Sequence, residues 1–361
     1  MAHEIRVAIA GIGNCASSLI QGIEYYKNND LETSGLAFDT VGPYSPKDII
    51  PVSAFDIDQR KVGKPLHKAI FEKPNCTTVF QKELPDYGVT VHMSPVLDGF
   101  SKHLEEYEEH ERFVLSEEKP CNVVSELQKT KADLLICYLP VGSEEAVKFY
   151  ANACLEAGVA FINCIPVFIA SHPEYASAFK EKNIPLVGDD IKSQFGATIL
   201  HRVIAKTLSD RGLKVERTYQ LNTGGNTDFL NMLERSRLKS KKKSKTQSVQ
   251  SQLKKELATE NIHIGPSDYI PWQKDNKVAF IRVEGKGFGN VPFNLEARLS
   301  VEDSPNSAGV VIDAIRFTKL ALDKKIGGVL YDVSSYCMKS PPQQKPDAST
   351  REALEKFLSI G

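Results

Sequence analysis

The chain has 361 residues and a net charge of −1, with 41% hydrophobic and 25% charged residues. That is an ordinary globular composition, long enough for one large or two ordinary domains. The near-zero charge gives no global pull toward nucleic acid or membrane, and no apolar run approaches the ~20 residues that a bilayer span needs. The seven cysteines include no C-x-x-C pair, which fits free thiols in a reducing compartment. The N-terminus lacks the basic and long apolar regions of a signal peptide, so a cytoplasmic protein is expected.

Ile5 to Ala10 reads as a short buried strand. Gly11-Ile12-Gly13-Asn14-Cys15-Ala16 follows, a G-x-G-x-x-A turn that leads at once into a helical pattern. Strand, glycine turn and helix together are the context of a dinucleotide fingerprint. Gly11 permits the tight turn, Gly13 lets a pyrophosphate approach the backbone, and Ala16 lets the helix pack on the strand. The helix N-terminus offers free N–H groups and a partial positive charge. The alternative is a purely structural turn. The second strand falls within Pro51 to Asp58, after a turn-rich insertion. Asp56 is the candidate for the ribose hydroxyls, with Asp58 as its rival. An acid there favours NAD, because it repels the 2′-phosphate of NADP.

Residues 59–130 carry little signal beyond a short helix and an acidic surface. Lys131 to Leu139 is a strand again. Pro140-Val141-Gly142-Ser143 opens a helix, with Ser143 as N-cap and Gly158 as its stop. Val159 to Cys164 is the next strand. Alternating strands and helices imply a doubly wound parallel sheet. Its ligands collect at the carboxyl ends of the strands, which places Pro140 and Ser143 near the cofactor.

Ser171 to Glu174 has the spacing of a capping box. Ile184 to Val187 is a strand ending in Gly188-Asp189-Asp190-Ile191-Lys192-Ser193. This dense polar cluster reads as a ligand site, as a cap for the next helix through Ser193 or Asp190, or as both. After a Gly-Gly turn, Asn226 and Asp228 can bind sugar hydroxyls or cap a helix. Seven cations follow between Arg235 and Lys245. Lys277 to Glu284 and Pro292 to Glu302 alternate around a glycine turn as an antiparallel hairpin. A second, α+β domain is therefore expected at 194–302, between an NAD-binding part at 1–193 and a C-terminal return at 303–361. Pro305 begins the returning helix behind Asp303 and Ser304.

GIGNCASSLIQGIEYY, AFDID, YLPVGSEEA, FINCIPVFIAS, VGDDIKSQFGATI, NTGGNTDFLNMLE, SKTQ, HIGPSD and DSPNSAGVVIDA together resemble myo-inositol-1-phosphate synthase in its shorter prokaryotic and archaeal form. The resemblance runs from Ile5 to about Pro342. It implies a Rossmann-like fold with a second α+β domain for catalysis and tetramer assembly. It also implies a redox-neutral, NAD-dependent conversion of D-glucose 6-phosphate to 1L-myo-inositol 1-phosphate, feeding inositol and phospholipid biosynthesis. In that reaction C5 is oxidised, the enolate at C6 attacks the C1 aldehyde, and the ring ketone is reduced again.

Carried onto this chain, the resemblance assigns catalysis to Lys241, Lys245, Lys277, Lys339, Asp190 and Asp303. The first three lysines would stabilise the enolate and move protons, and a lysine that shuttles protons needs a lowered pKa. Lys339 would serve O5, and the two acids would orient lysines. Asn226, Asp228 and Ser193 would hold substrate. Gly11, Gly13, Asn14, Cys15, Ala16, Asp56, Pro140, Ser143 and Asp190 would hold NAD. Asp303 and Ser304 are the candidates for a divalent metal. Asn226-Thr227-Asp228 departs from the paired asparagines of eukaryotic members. The lysine segment is expected to close over bound ligands as a lid. The alternatives are an ordinary NAD-dependent sugar-phosphate dehydrogenase and a Rossmann domain that binds nucleic acid through its lysines.

Overall fold

A computed structural model describes residues 3–29, 32–238 and 246–359. Lys241 and Lys245, and with them the expected lid, lie outside the described residues. The first part alternates as the sequence suggests. It runs β1 (Ile5–Ala10), α1 (Asn14–Asn28), β2 (Ile49–Asp56), α2 (Leu66–Ala69), β3 (Val91–Met93), α3 (Val123–Lys129) and β4 (Leu134–Cys137). It continues with α4 (Glu144–Ala157), β5 (Ala160–Asn163), α5 (Pro173–Glu181) and β6 (Pro185–Val187).

β4 and β5 are buried at every position and β1 at all but one. Strands apolar on both faces need helices on both faces, which is the parallel, doubly wound solution. The remainder runs α6 (Ala197–Asp210), β7 (Lys214–Gly224), α7 (Thr227–Asn231), α8 (246–250), β8 (Ile262–Tyr269), β9 (Asn276–Lys286) and β10 (Pro292–Glu302). It closes with α9 (Asp303–Asp323), β11 (Gly328–Val329), α10 (Tyr331–Cys337) and α11 (Asp347–Ser359).

The large sheet has the order β11-β6-β5-β4-β1-β2-β3, with parallel pairing throughout. The chain winds one way from β1 to β3 and the other way from β4 to β6. The crevice between β1 and β4 is therefore the switch point where ligands bind in such sheets. The main core surrounds this sheet and includes α9, which packs along α1 and against β1, β4, β5 and β6. α9 follows directly on β10 of the smaller sheet. β11 was not foreseen, because two residues show no period.

The smaller sheet has the order β10-β9-β7-β8. β9 and β10 form the expected antiparallel hairpin. β8 pairs parallel to β7 at the edge of this sheet.

Three capping expectations change. α5 begins at Pro173 behind His172, so no capping box forms. Ser171 instead gives its N–H to Asp189 and its hydroxyl to the Ser340 carbonyl. α6 starts behind Gly196, so neither Ser193 nor Asp190 caps it. α9 starts at Asp303 behind Glu302, and its first turn is held by Asp275, whose carboxylate accepts from Ser304 N at 3.0 Å. Gly158 does stop α4, at φ 77°. Among the described residues, no helix is long and apolar enough to cross a membrane.

Candidate active site

One cleft with an empty volume of about 1490 Å³, its open mouth included, lies along the carboxyl ends of β1 to β6. Gly11, Gly13, Asn14 and Cys15 enter it after β1, Asp56 after β2, and Ser94 after β3. Tyr138 and Pro140 enter after β4, Cys164 after β5, and Asp190 and Ser193 after β6. The smaller sheet and α9 close the other side with Asn226, Asp228, Lys277, Asp303 and Ser304. Lys339 comes from the C-terminal return. A small adjoining pocket joins Ser193, Lys277 and Lys339 to Gln220 and the first residues of α6.

The glycines of the turn serve different ends. Gly11 has φ +89°, and a Cβ there would stand 2.7 Å from the Tyr138 carbonyl. It is required by the fold itself. Gly13 has φ −87°, and a Cβ there would meet nothing within 4 Å. Among the described residues nothing demands a glycine at that position, whereas a pyrophosphate drawn against the N-terminus of α1 would. No side chain caps α1 and its first turn holds no acid, so the free N–H groups face the cleft.

Asp56 sits at the end of β2, takes the Ile12 N–H at 2.6 Å, and lines the cleft. Its rival Asp58 is fully buried. Arg60, at 2.5 Å, and the Val114 N–H engage it, and it does not reach the cleft. These features fit NAD, held by the β1 turn, Asp56 and the loop after β4. Ala16 and Ser143 stand behind the wall. Ala16 packs in the core, and the buried Ser143 hydroxyl accepts from Arg237. Arg237 also donates to the Val141 and Asp98 carbonyls at 2.9 Å.

The polar cluster after β6 divides. Asp189 turns inward and accepts from Asn163 and from the N–H groups of Ile169, Ala170 and Ser171. Burial pushes its pKa up to about 6 despite these bonds. Lys192 also turns away, toward the Ser335 carbonyl and Asp347. Burial pulls its pKa down to about 8. Asp190, at φ +65°, and Ser193 face the cleft.

Residues 189–192 are zipped to 337–340 by backbone bonds, among them Lys192 N to Cys337 O at 2.8 Å and Ser340 N to Asp189 O at 3.0 Å. That pairing delivers Lys339 to Asp190, with Nζ 2.9 Å from Oδ1. A second pair, Lys277 and Asp303, meets at 2.7 Å. Burial alone would weaken the Lys277 ammonium. The Asp303 carboxylate, with Asp228 and Asp190 beyond it, outweighs that cost and raises the pKa above the ordinary lysine value. The lowered pKa expected of a proton-shuttling lysine is thus absent at Lys277, because its neighbours are carboxylates and not cations. As found, it is a fixed positive charge.

Asn226 lines the cleft, but its amide is committed. Oδ1 caps α7 through the N–H groups of Asp228 and Phe229, and Nδ2 donates to Asp275 at 2.9 Å. The metal reading fails a test of fit. Asp303 holds an ammonium, and the Ser304 hydroxyl donates to Asp275. Among the described residues, no group of three His, Cys, Asp or Glu side chains could hold a metal.

Sequence reasoning missed Lys61, which is buried and joins the Ile12 carbonyl to Asn75 at 2.7 and 2.8 Å. It also missed Tyr138 and Ser94, and Asp275 behind the wall. Burial and Asp303 push the Asp275 pKa up to about 6.

The family model described as Myo-inositol-1-phosphate synthase matches residues 196–304. Over 357 residues the chain is 54% identical to the inositol-3-phosphate synthase of Mycobacterium tuberculosis, covering 98% of this chain and 96% of that one. It is 53% identical over 363 residues to the inositol-3-phosphate synthase of Mycolicibacterium smegmatis, covering 99% and 98%.

The chain belongs to the inositol-3-phosphate synthase family. It is an enzyme of that family, and its fold agrees. A myo-inositol-1-phosphate synthase-related protein from Thermotoga maritima superposes with TM-score 0.81 at 26% identity, covering 99% of each chain. The inositol-3-phosphate synthase of Caenorhabditis elegans, at 16% identity, shares the fold with TM-score 0.75 over 99% of this chain and 86% of that one.

Proposed function

We propose that this inositol-3-phosphate synthase converts D-glucose 6-phosphate to 1L-myo-inositol 1-phosphate in a redox-neutral cycle of oxidation at C5, aldol closure and re-reduction. The observation that carries the reading is the convergence of two lysine–carboxylate pairs, Lys277–Asp303 and Lys339–Asp190, on the cleft that holds the nucleotide turn. NAD held by Gly11, Gly13, Asn14, Cys15 and Asp56 supplies hydride chemistry at the substrate carbon.

Around it, the chain's own groups do the rest. Lys277, kept cationic by its acids, stabilises negative charge as it develops on the substrate oxygen. Charge fixed in place before reaction is often the largest catalytic term. Lys339, oriented by Asp190, donates to and accepts from the oxygen at C5. Ser193, with the uncapped first turn of α6 in the adjoining pocket, takes the phosphate, and Asp228 faces the sugar hydroxyls. Asn226 acts by shaping α7. Lys241 and Lys245, to which the family resemblance assigns catalysis, lie outside the described residues. The 194–302 region forms the catalytic and oligomerisation domain of a cytoplasmic homotetramer, and 1–193 with 303–361 binds NAD.

Incubation with glucose 6-phosphate and NAD⁺ tests the reading. Inositol phosphate should form with no net NADH. Steady growth of NADH absorbance without inositol phosphate would instead establish a sugar-phosphate dehydrogenase.

A further inference from the structure

We infer that Asp275 is a positioning residue that locks the nucleotide-binding turn to the catalytic lysine pair. The inference rests on the function proposed above and concerns a residue outside the cleft lining. Asp275 is buried and stands at the meeting point of four segments. Its Oδ1 accepts from Asn226 Nδ2 at 2.9 Å and from Ser304 Oγ at 2.9 Å. Its Oδ2 accepts from Thr77 Oγ1 at 2.9 Å and from Ser304 N at 3.0 Å. Its backbone carbonyl accepts from Asp303 N at 3.0 Å. A carboxylate offers about four lone-pair sites, and all four are used.

Each arm ends on functional machinery. Thr77 and Cys76 give their N–H groups to Asn14 Oδ1 at 3.0 and 2.7 Å, so this arm reaches the first residue of α1. The Asn226 arm sets α7, which carries Asp228. The Ser304 arm fixes the start of α9, which carries Asp303. Lys277, the second residue of β9, follows Asp275 by two positions.

The polarity of these bonds is determined. Asn226 Oδ1 is taken by two backbone N–H groups, so its amide nitrogen must point at Asp275. The Ser304 N–H is a donor by nature. Thr77 accepts from Ser18, whose hydroxyl lies 3.0 Å away, and gives its own proton to Asp275. With Asn226 and Ser304 as they are, each oxygen of residue 275 faces one fixed N–H donor, so both positions must accept. An amide in place of the carboxylate turns one oxygen into a donor that faces a donor, and a buried group so opposed costs far more than a lost surface bond.

This permits a swap of polarity. In Asp275→Asn the new Nδ2 faces a fixed donor in either orientation, Asn226 Nδ2 in the place of Oδ1 or the Ser304 N–H in the place of Oδ2, so the hub loosens as a whole. In the double variant Asp275→Asn with Asn226→Asp, the new carboxylate accepts from residue 275 and still caps α7. The test measures NAD affinity by calorimetry and kcat at saturating NAD and substrate, on the full chain. Asp275→Asn should weaken NAD at least ~tenfold and lower kcat at least ~tenfold, and the double variant should recover most of both. Retention of both quantities within ~twofold in Asp275→Asn would overturn the inference, as would a double variant no better than the single one. Should Asp275→Asn fail to fold, Thr77→Val carries the test by cutting only the arm to the turn. NAD affinity must then fall at least ~threefold, and an unchanged affinity refutes the link. NAD affinity is read without turnover, so a chain that binds NAD but makes no inositol phosphate refutes the proposed reaction and not this inference.

Discussion

Lys277→Met removes a charge and keeps most of the side-chain volume. Two separate losses are expected. The first concerns stability. Asp303 is left beside Asp275 with its ammonium gone, in a pair whose side chains are 15% and 23% exposed. Breaking a fully buried pair costs about 3–5 kcal/mol. Partial exposure reduces this, so about 1–3 kcal/mol is expected. The second concerns chemistry. Loss of one preorganised donor at a developing oxyanion lowers kcat by roughly 10²–10³. NAD affinity should hold, because the turn and Asp56 do not touch Lys277. Adding Asp303→Asn separates the two losses: it removes the negative charge beside Asp275 and restores most of the stability, while activity stays low. Thermal unfolding and an inositol phosphate assay on both variants give the answer. A kcat within ~threefold of wild type, or activity recovered along with stability in the double variant, would refute the role given to Lys277.

Other expectations follow from the same geometry. Gly13→Ala should leave the melting temperature nearly unchanged yet weaken NAD at least ~tenfold, since the space above Gly13 is open. Gly11→Ala should destabilise the fold by about 1–3 kcal/mol, because both its φ and the Tyr138 carbonyl oppose a Cβ; denaturant titration checks it. Asp56→Ala should weaken NAD, whereas Asp58→Ala should mainly destabilise by stranding Arg60, a contrast that calorimetry and melting curves resolve together. His201 is buried between Thr218 and Gln220, and burial drops its pKa from 6.5 to about 4. Its folded pKa is depressed, so the unfolded chain binds the extra proton. The contribution is full above about pH 6.5 and is lost as pH falls toward about 4, amounting to about 3 kcal/mol. His201→Gln should flatten that slope in the pH dependence of unfolding.

The parts of the site written in neighbouring residues were legible. The β1 strand, the glycine turn and α1 form one continuous signal of period and composition, and the β9–β10 hairpin is another. The parts made by distant pairing were not. Lys339 reads as a surface residue until residues 189–192 pair with 337–340, and it meets Asp190 across 149 positions. Asp275 is a short polar residue ahead of a strand, and only the junction of Thr77, Asn226 and Ser304 gives it a task. Lys61 has no periodic signature, since its role is to hold one backbone carbonyl and one amide in a buried corner. The capping box at Ser171 and the N-cap expected at the start of α9 failed where a side chain from elsewhere took the local donors: Asp189 took the Ser171 N–H, and Asp275 held the first turn of α9. The family resemblance reached Lys277 and Lys339 where the residues alone did not.

The redox-neutral cycle is tested most directly with glucose 6-phosphate carrying deuterium at C5. In the proposed cycle the hydride would leave that carbon and return to it without release of the reduced nucleotide. The expected result is inositol phosphate that keeps the label at a single ring carbon, with no accumulation of NADH. Loss of the label to solvent, or its appearance in released NADH, would contradict the cycle.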